Sequence, residues 1–106
     1  MTISTHVLDA ALGRPAAEVA VRLEDPSGSS ADAVTDADGR VAGFGDGPFA
    51  AGEYRLRFDT GTYFAASGRD AFYPEVVVTF RIVDPAQHHH VPLLLSPFAY
   101  STYRGS

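Results

Sequence analysis

The stretch Glu75-Val76-Val77-Val78-Thr79-Phe80-Arg81-Ile82 decides the fold. In an extended chain Val76, Val78, Phe80 and Ile82 fall on one face, opposite Glu75, Val77, Thr79 and Arg81. A period of two marks a half-buried strand of an antiparallel sheet, with one face on a core and the other toward water. The same alternation recurs upstream: Val19, Val21 and Leu23 alternate with Ala20, Arg22 and Glu24, and Tyr54, Leu56 and Phe58 with Arg55, Arg57 and Asp59. Turn-forming residues separate the runs at Gly13-Arg14-Pro15, Asp25-Pro26-Ser27-Gly28, Asp36-Ala37-Asp38-Gly39, Asp46-Gly47-Pro48 and Asp84-Pro85. Strands are predicted at 3–9, 16–24, 31–36, 40–44, 52–59, 74–83, 88–95 and 97–103. Their number and spacing point to an all-β, two-sheet antiparallel sandwich. Thr60 to Asp70 breaks the alternation and, with Tyr63, Phe64, Ala65 and Ala66, suits one short helix.

The 106 residues suffice for one domain spanning 1–106 and leave no room for a second. A core of that size is modest, so burying surface between subunits would help. All eight cations are arginines, against 13 acidic residues, and the net charge of −5 repels a phosphate backbone. Nucleic acid is therefore excluded as a partner. The absence of cysteine excludes disulfides, thiolate metal sites and a thiol nucleophile. No stretch is long and apolar enough to enter a membrane. The opening MTISTHVLDA lacks the basic and apolar regions of a secretory signal, and the closing STYRGS is not a peroxisomal tripeptide, so a cytoplasmic location is expected.

Few residues can do chemistry. His6 lies on a predicted strand, on the face of Ser4 and Leu8; His88, His89 and His90 precede Val91-Pro92-Leu93-Leu94-Leu95. On a strand His88 and His90 point one way and His89 the other. Imidazole suits proton transfer near neutral pH, although a strand histidine can equally be a hydrogen-bonded surface residue. A metal site is a further reading, since His6, His88 and His90 could supply the three nitrogens of a catalytic zinc. Arg40 follows the Asp38-Gly39 turn; it either begins a strand in solvent or offers a planar fork to an anionic or carbonyl-rich ligand. Tyr103-Arg104-Gly105-Ser106 ends the chain, where fraying is the ordinary expectation; Tyr103 could anchor it by packing, and Ser106 carries a hydroxyl. There is no G-x-S-x-G elbow for a serine hydrolase and no nucleotide-binding glycine motif.

Several segments together resemble one family. Thr5-His6-Val7-Leu8-Asp9, Gly13-Arg14-Pro15-Ala16, Thr35-Asp36-Ala37-Asp38-Gly39-Arg40, His88-His89-His90-Val91-Pro92-Leu93-Leu94-Leu95-Ser96-Pro97 and the closing Tyr103-Arg104-Gly105-Ser106 are similar, in order, to motifs of the 5-hydroxyisourate hydrolases, transthyretin-like proteins. They span nearly the whole chain, and the tetrapeptide with H-x-H-x-P-L-L-L is the most specific pair. The resemblance implies a transthyretin-like sandwich with one short helix. It also implies a homotetramer built as a dimer of dimers. Active sites would lie in the clefts between dimers, lined by His6, Arg40, His90 and Ser106 as catalytic residues. Tyr103, Arg104, Gly105 and His88 would bind or position beside them, with no cofactor and no metal. The implied reaction is hydrolysis of the purine-derived small molecule 5-hydroxyisourate to 2-oxo-4-hydroxy-4-carboxy-5-ureidoimidazoline. The histidine pair would be general acid and base, and Arg40 would offset charge on the attacked carbonyl. The fold alone also admits a transthyretin-type carrier of a small ligand. The polar residues gathered toward the cleft favour catalysis over an apolar channel.

Overall fold

The computed structural model describes residues 2–45 and 48–106. The elements in chain order are β1 (Ile3–Asp9), β2 (Arg14–Pro15), β3 (Ala20–Glu24), β4 (Ser30–Val34), β5 (Arg40–Val41), β6 (Gly52–Phe58), α1 (Thr60–Ala66), β7 (Val76–Ile82), β8 (His89–Ser96) and β9 (Ala99–Thr102). Two sheets form a sandwich. One has the order β2-β1-β8-β9, with β5 joining β1 beside β2; the other has the order β4-β3-β6-β7. Every pairing is antiparallel except β1 with β8, which run parallel from Ile3↔His89 to Asp9↔Leu95. Parallel neighbours need a long crossover, and here nearly the whole chain separates the two strands.

The alternating residues meet where their period requires. Ile3, Val7, Val91, Leu93 and Leu95 face Val21, Leu23, Tyr54, Leu56, Phe58 and Ile82 across the sandwich, all buried. Several outward residues of the second sheet are charged and ion-paired, as in Arg22–Asp32 and Arg57–Glu24. Several predicted strands are shorter than their patterns, including those expected over 74–83 and 97–103, which run Val76–Ile82 and Ala99–Thr102. The run expected over 16–24 begins only at Ala20, because Glu18 adopts a left-handed φ of 61° that breaks an extended chain. The Thr35 side chain ties down the irregular segment, accepting from the Val19 amide at 2.9 Å and donating to the Ala16 carbonyl at 2.7 Å. The run expected over 40–44 pairs only at Arg40 and Val41. The turn read at Asp46-Gly47-Pro48 falls largely outside the described residues.

The break in alternation is the helix α1. Asp59 caps it, its carboxylate accepting from the Thr62 amide, and Phe64 is driven into the core. A buried polar knot holds the helix end against β1. The fully buried carboxylate of Asp9 accepts from Arg69 Nη2 at 2.7 Å, the Tyr63 hydroxyl at 2.7 Å and the Leu12 amide at 3.0 Å. Burial pushes this carboxyl up, but the Arg69 guanidinium and the Tyr63 hydroxyl outweigh it and hold it below the ordinary carboxylate value. Among the described residues no helix is long and apolar enough to cross a membrane.

Candidate active site

The outward face of the β1 sheet differs from that of its partner sheet: it carries imidazoles. Register decides which residues meet. On β1, His6 pairs with Arg40 of β5 on one side and Pro92 of β8 on the other. Two residues earlier, Ser4 pairs with His90. His90 in turn bridges to Gly105, whose amide donates to the His90 carbonyl at 2.8 Å. A strand sends alternate side chains to opposite faces, so Ser4, His6, His90 and Pro92 share the outer face while Thr5, Val7 and Val91 go inward. His89 also points inward and is buried, with Nδ1 unpartnered.

Arg40 is delivered by the turn before it. Gly39 adopts φ +76°, and a side chain there would collide with the Val7 carbonyl, so glycine is required on both counts. Asp36 fixes the turn, its Oδ1 accepting from the amides of Asp38 and Arg40, each at 2.9 Å. The same turn orients His6: its Nε2 lies 2.9 Å from the Asp38 carbonyl oxygen. A carbonyl only accepts, so Nε2 carries the hydrogen and Nδ1 is the nitrogen left for chemistry.

His90 is set differently. Its Nδ1 lies 2.8 Å from Ser4 Oγ, which also lies 3.1 Å from His88 Nε2. His88 Nδ1 meets Thr2 Oγ1. The His88 and His90 rings lie 6.2 Å apart and 15° from parallel. Partial burial lowers the His90 pKa from its ordinary value, and the neighbouring His88, Arg40 and His6 lower it further. Each of these effects favours the neutral imidazole, the form able to accept a proton.

A hollow of about 280 Å³ brings together Ser4, Arg40, His88, His90 and Ser106. His6 lies one register row away, beside Arg40. Tyr103 and Arg104 line a neighbouring hollow of about 300 Å³ between β7 and β8, together with His89; the Arg104 guanidinium donates to Gln87. Gly105 rests on the His90 ring, and a Cβ there would overlap His90 Cδ2. A further hollow, about 690 Å³, lies on the outer face of the other sheet, among ion-paired side chains, and no histidine lines it. Among the described residues no three His, Cys, Asp or Glu side chains gather as a metal-binding group. Sequence reasoning passed over Ser4. Its placement on the His6 face was visible, but its contacts across to β8 depend on a parallel register that no local pattern announces.

Comparison with known proteins identifies the family and the fold. Residues 3–105 match the model of the HIUase/Transthyretin family. A 5-hydroxyisourate hydrolase of Caulobacter vibrioides is 46% identical over 112 residues, covering 98% of this chain and 97% of that protein. The structure of a Klebsiella pneumoniae 5-hydroxyisourate hydrolase superposes with a TM-score of 0.92 at 42% identity, covering both chains entirely. Sea bream transthyretin, solved in complex with thyroxine, superposes at 0.89 with 34% identity, covering 99% of this chain and 95% of that one.

Proposed function

The chain belongs to the HIUase/Transthyretin family, and we propose that it is a hydrolase that opens the ring of 5-hydroxyisourate to give 2-oxo-4-hydroxy-4-carboxy-5-ureidoimidazoline. The observation that supports this best is the convergence of Arg40, His90 and Ser106 on one hollow beside His6. The transthyretin that superposes was solved with thyroxine, but the lining here is imidazole, guanidinium and hydroxyl, which suits a polar ring better than an apolar hormone.

The reaction adds water across a cyclic amide: an O–C bond forms at the carbonyl, the ring C–N bond breaks, and a proton ends on the departing nitrogen. His90, kept neutral by burial and by the charges around it, takes the proton of the attacking water. His6, its Nε2–H held by Asp38, takes up a proton from water in the cleft at its bare Nδ1 and passes it to the leaving nitrogen, matching the one His90 removes. Arg40 binds the polar ring and offsets the negative charge growing on the carbonyl oxygen. Ser106 orients water or substrate, with Tyr103, Arg104 and Gly105 fixing its position and His88 supporting His90. A positioned acid–base group supplies about 10²–10⁴-fold and a donor at the carbonyl about 10²–10³-fold. These are sufficient for a substrate already unstable in water, without a metal or a covalent intermediate. In this reading residues 1–106 act as one domain and assemble as a dimer of dimers, with the histidine face lining the clefts between dimers.

The test is the ultraviolet decay of freshly generated 5-hydroxyisourate, made from urate by a urate oxidase, with and without the protein. Acceleration that disappears in His6→Ala, in His90→Ala and in a chain lacking Tyr103 to Ser106 is the expected result. A folded protein with no effect on the decay would overturn the hydrolase reading and turn attention to ligand binding.

A further inference from the structure

Ser4 touches two imidazoles at once. Its Oγ lies 2.8 Å from His90 Nδ1 and 3.1 Å from His88 Nε2, and only 8% of the residue is exposed. A hydroxyl has one hydrogen to give. It cannot donate to both rings, so at least one of the two ring nitrogens carries a hydrogen and gives it to Ser4. Among the described residues His90 Nε2 makes no hydrogen bond, so it is the nitrogen left for the cleft that Arg40 and Ser106 line. The charges that face His90 come from three elements: His6 on β1, Arg40 on β5 and His88 just before β8. Arg40 lines the same hollow as His90, and a guanidinium there favours a bare, electron-rich nitrogen over an N–H on the ring edge that faces the hollow. That edge is bare only when Nδ1 carries the hydrogen and donates it to Ser4.

We propose that Ser4 is a positioning residue that holds His90 as its Nδ1–H tautomer, with Nε2 bare toward the cleft, and connects it to His88 as an outlet for the proton. The origin of that proton rests on the hydrolase reading above. Water gives a proton to His90 Nε2, making an imidazolium. Its Nδ1 proton passes to Ser4 Oγ as the Ser4 hydroxyl proton passes to His88 Nε2. His88, now carrying both ring protons, is exposed and releases one to solvent. His90 is left neutral with its hydrogen on Nε2; in the reset it gives that hydrogen to water in the cleft while His88, reprotonated from solvent, returns a proton through Ser4 Oγ to His90 Nδ1, which restores the bare Nε2. Thr2 Oγ1, at His88 Nδ1, stands at the outer end of the chain of contacts.

The experiment is nitrogen-15 NMR of the histidine rings in the full chain without substrate, together with steady-state kinetics. In the wild-type protein His90 Nδ1 is expected to read as protonated and Nε2 as bare. Ser4→Ala is expected to release this preference and to lower kcat by about tenfold, the scale of one hydrogen bond, with KM within twofold. Ser4→Thr, which keeps a hydroxyl, restores both. A wild-type His90 protonated on Nε2 overturns the proposal without any variant being made. So does a Ser4→Ala protein whose His90 tautomer and kcat are unchanged. The tautomer found as expected in a protein that does not hydrolyse 5-hydroxyisourate would support the assignment of Ser4 while removing the hydrolase reading, so the two fail separately.

Discussion

Gly105→Ala is a one-methyl test of how the C-terminal segment serves the site. Gly105 is not in the left-handed region, so its backbone would accept alanine, and the cost is steric alone. The added Cβ would overlap His90 Cδ2 and stand 3.2 Å from both His90 Cγ and Pro92 Cγ. Pro92 is fixed within β8, and the His90 ring is held through Nδ1 by Ser4. Relief must come from tilting the imidazole or lifting residues 105 and 106 from the sheet, either by about an ångström, and a misplacement of that size costs on the order of 10²-fold in rate. The core is far from this contact, so the melting temperature should change little. The assay is the decay of 5-hydroxyisourate at saturating and sub-saturating substrate, with a thermal melt on the same sample. A loss of about 10²-fold in kcat with an unchanged melt is expected. Activity within twofold of wild type would refute the reasoning, because it would show that the close packing of Gly105 on His90 is not needed to place either group.

Arg40→Ala should lower kcat/KM by about 10²–10³-fold while leaving the assembly seen by sedimentation unchanged. The pH profile has a definite direction. The acid limb of kcat/KM reports the base of the free enzyme, and His90 has its pKa lowered by burial, His88, Arg40 and His6. Activity should therefore persist below the ordinary histidine value of 6.5. Arg40→Gln, which removes a cation facing the ring, should move that limb upward in whatever activity remains. For stability, Arg69→Ala strands the buried Asp9 carboxylate and should cost about 3–5 kcal/mol in urea melts at pH 7. The folded Asp9 has a lowered pKa, so its contribution is complete above the unfolded value of 3.8 and is lost as pH falls through the folded one. The difference between Arg69→Ala and wild type should accordingly shrink in acid.

What the sequence makes legible is what is periodic or local. The alternation of Val76 to Ile82 and of Tyr54 to Phe58 dictates which side chains are buried, because a pleated strand has only two faces. The break at Thr60 yields a helix because Asp59 caps it and Phe64 finds the core. The segment from Ala16 to Val19 was not legible as irregular: Val19 and Val21 keep the period, and only the left-handed Glu18 and the Thr35 side chain, 16 residues beyond Val19, divert the chain. The site follows the same division. His6, His90 and Arg40 stand out by residue type, but nothing local says that β1 lies parallel to β8, and it is this register that sets Ser4 against His90 and His6 against Pro92, while the separate β1–β5 pairing sets His6 against Arg40. A one-residue slip would send every imidazole of β1 and β8 to the opposite face. What fixes the register is therefore the inward set, Ile3, Val7, Val91, Leu93 and Leu95, which tolerates no shift without exposing itself. The hydrophobic core thus positions the imidazoles it never touches, and a substitution that loosens that register, though it removes no polar group, would cost activity before it cost the fold.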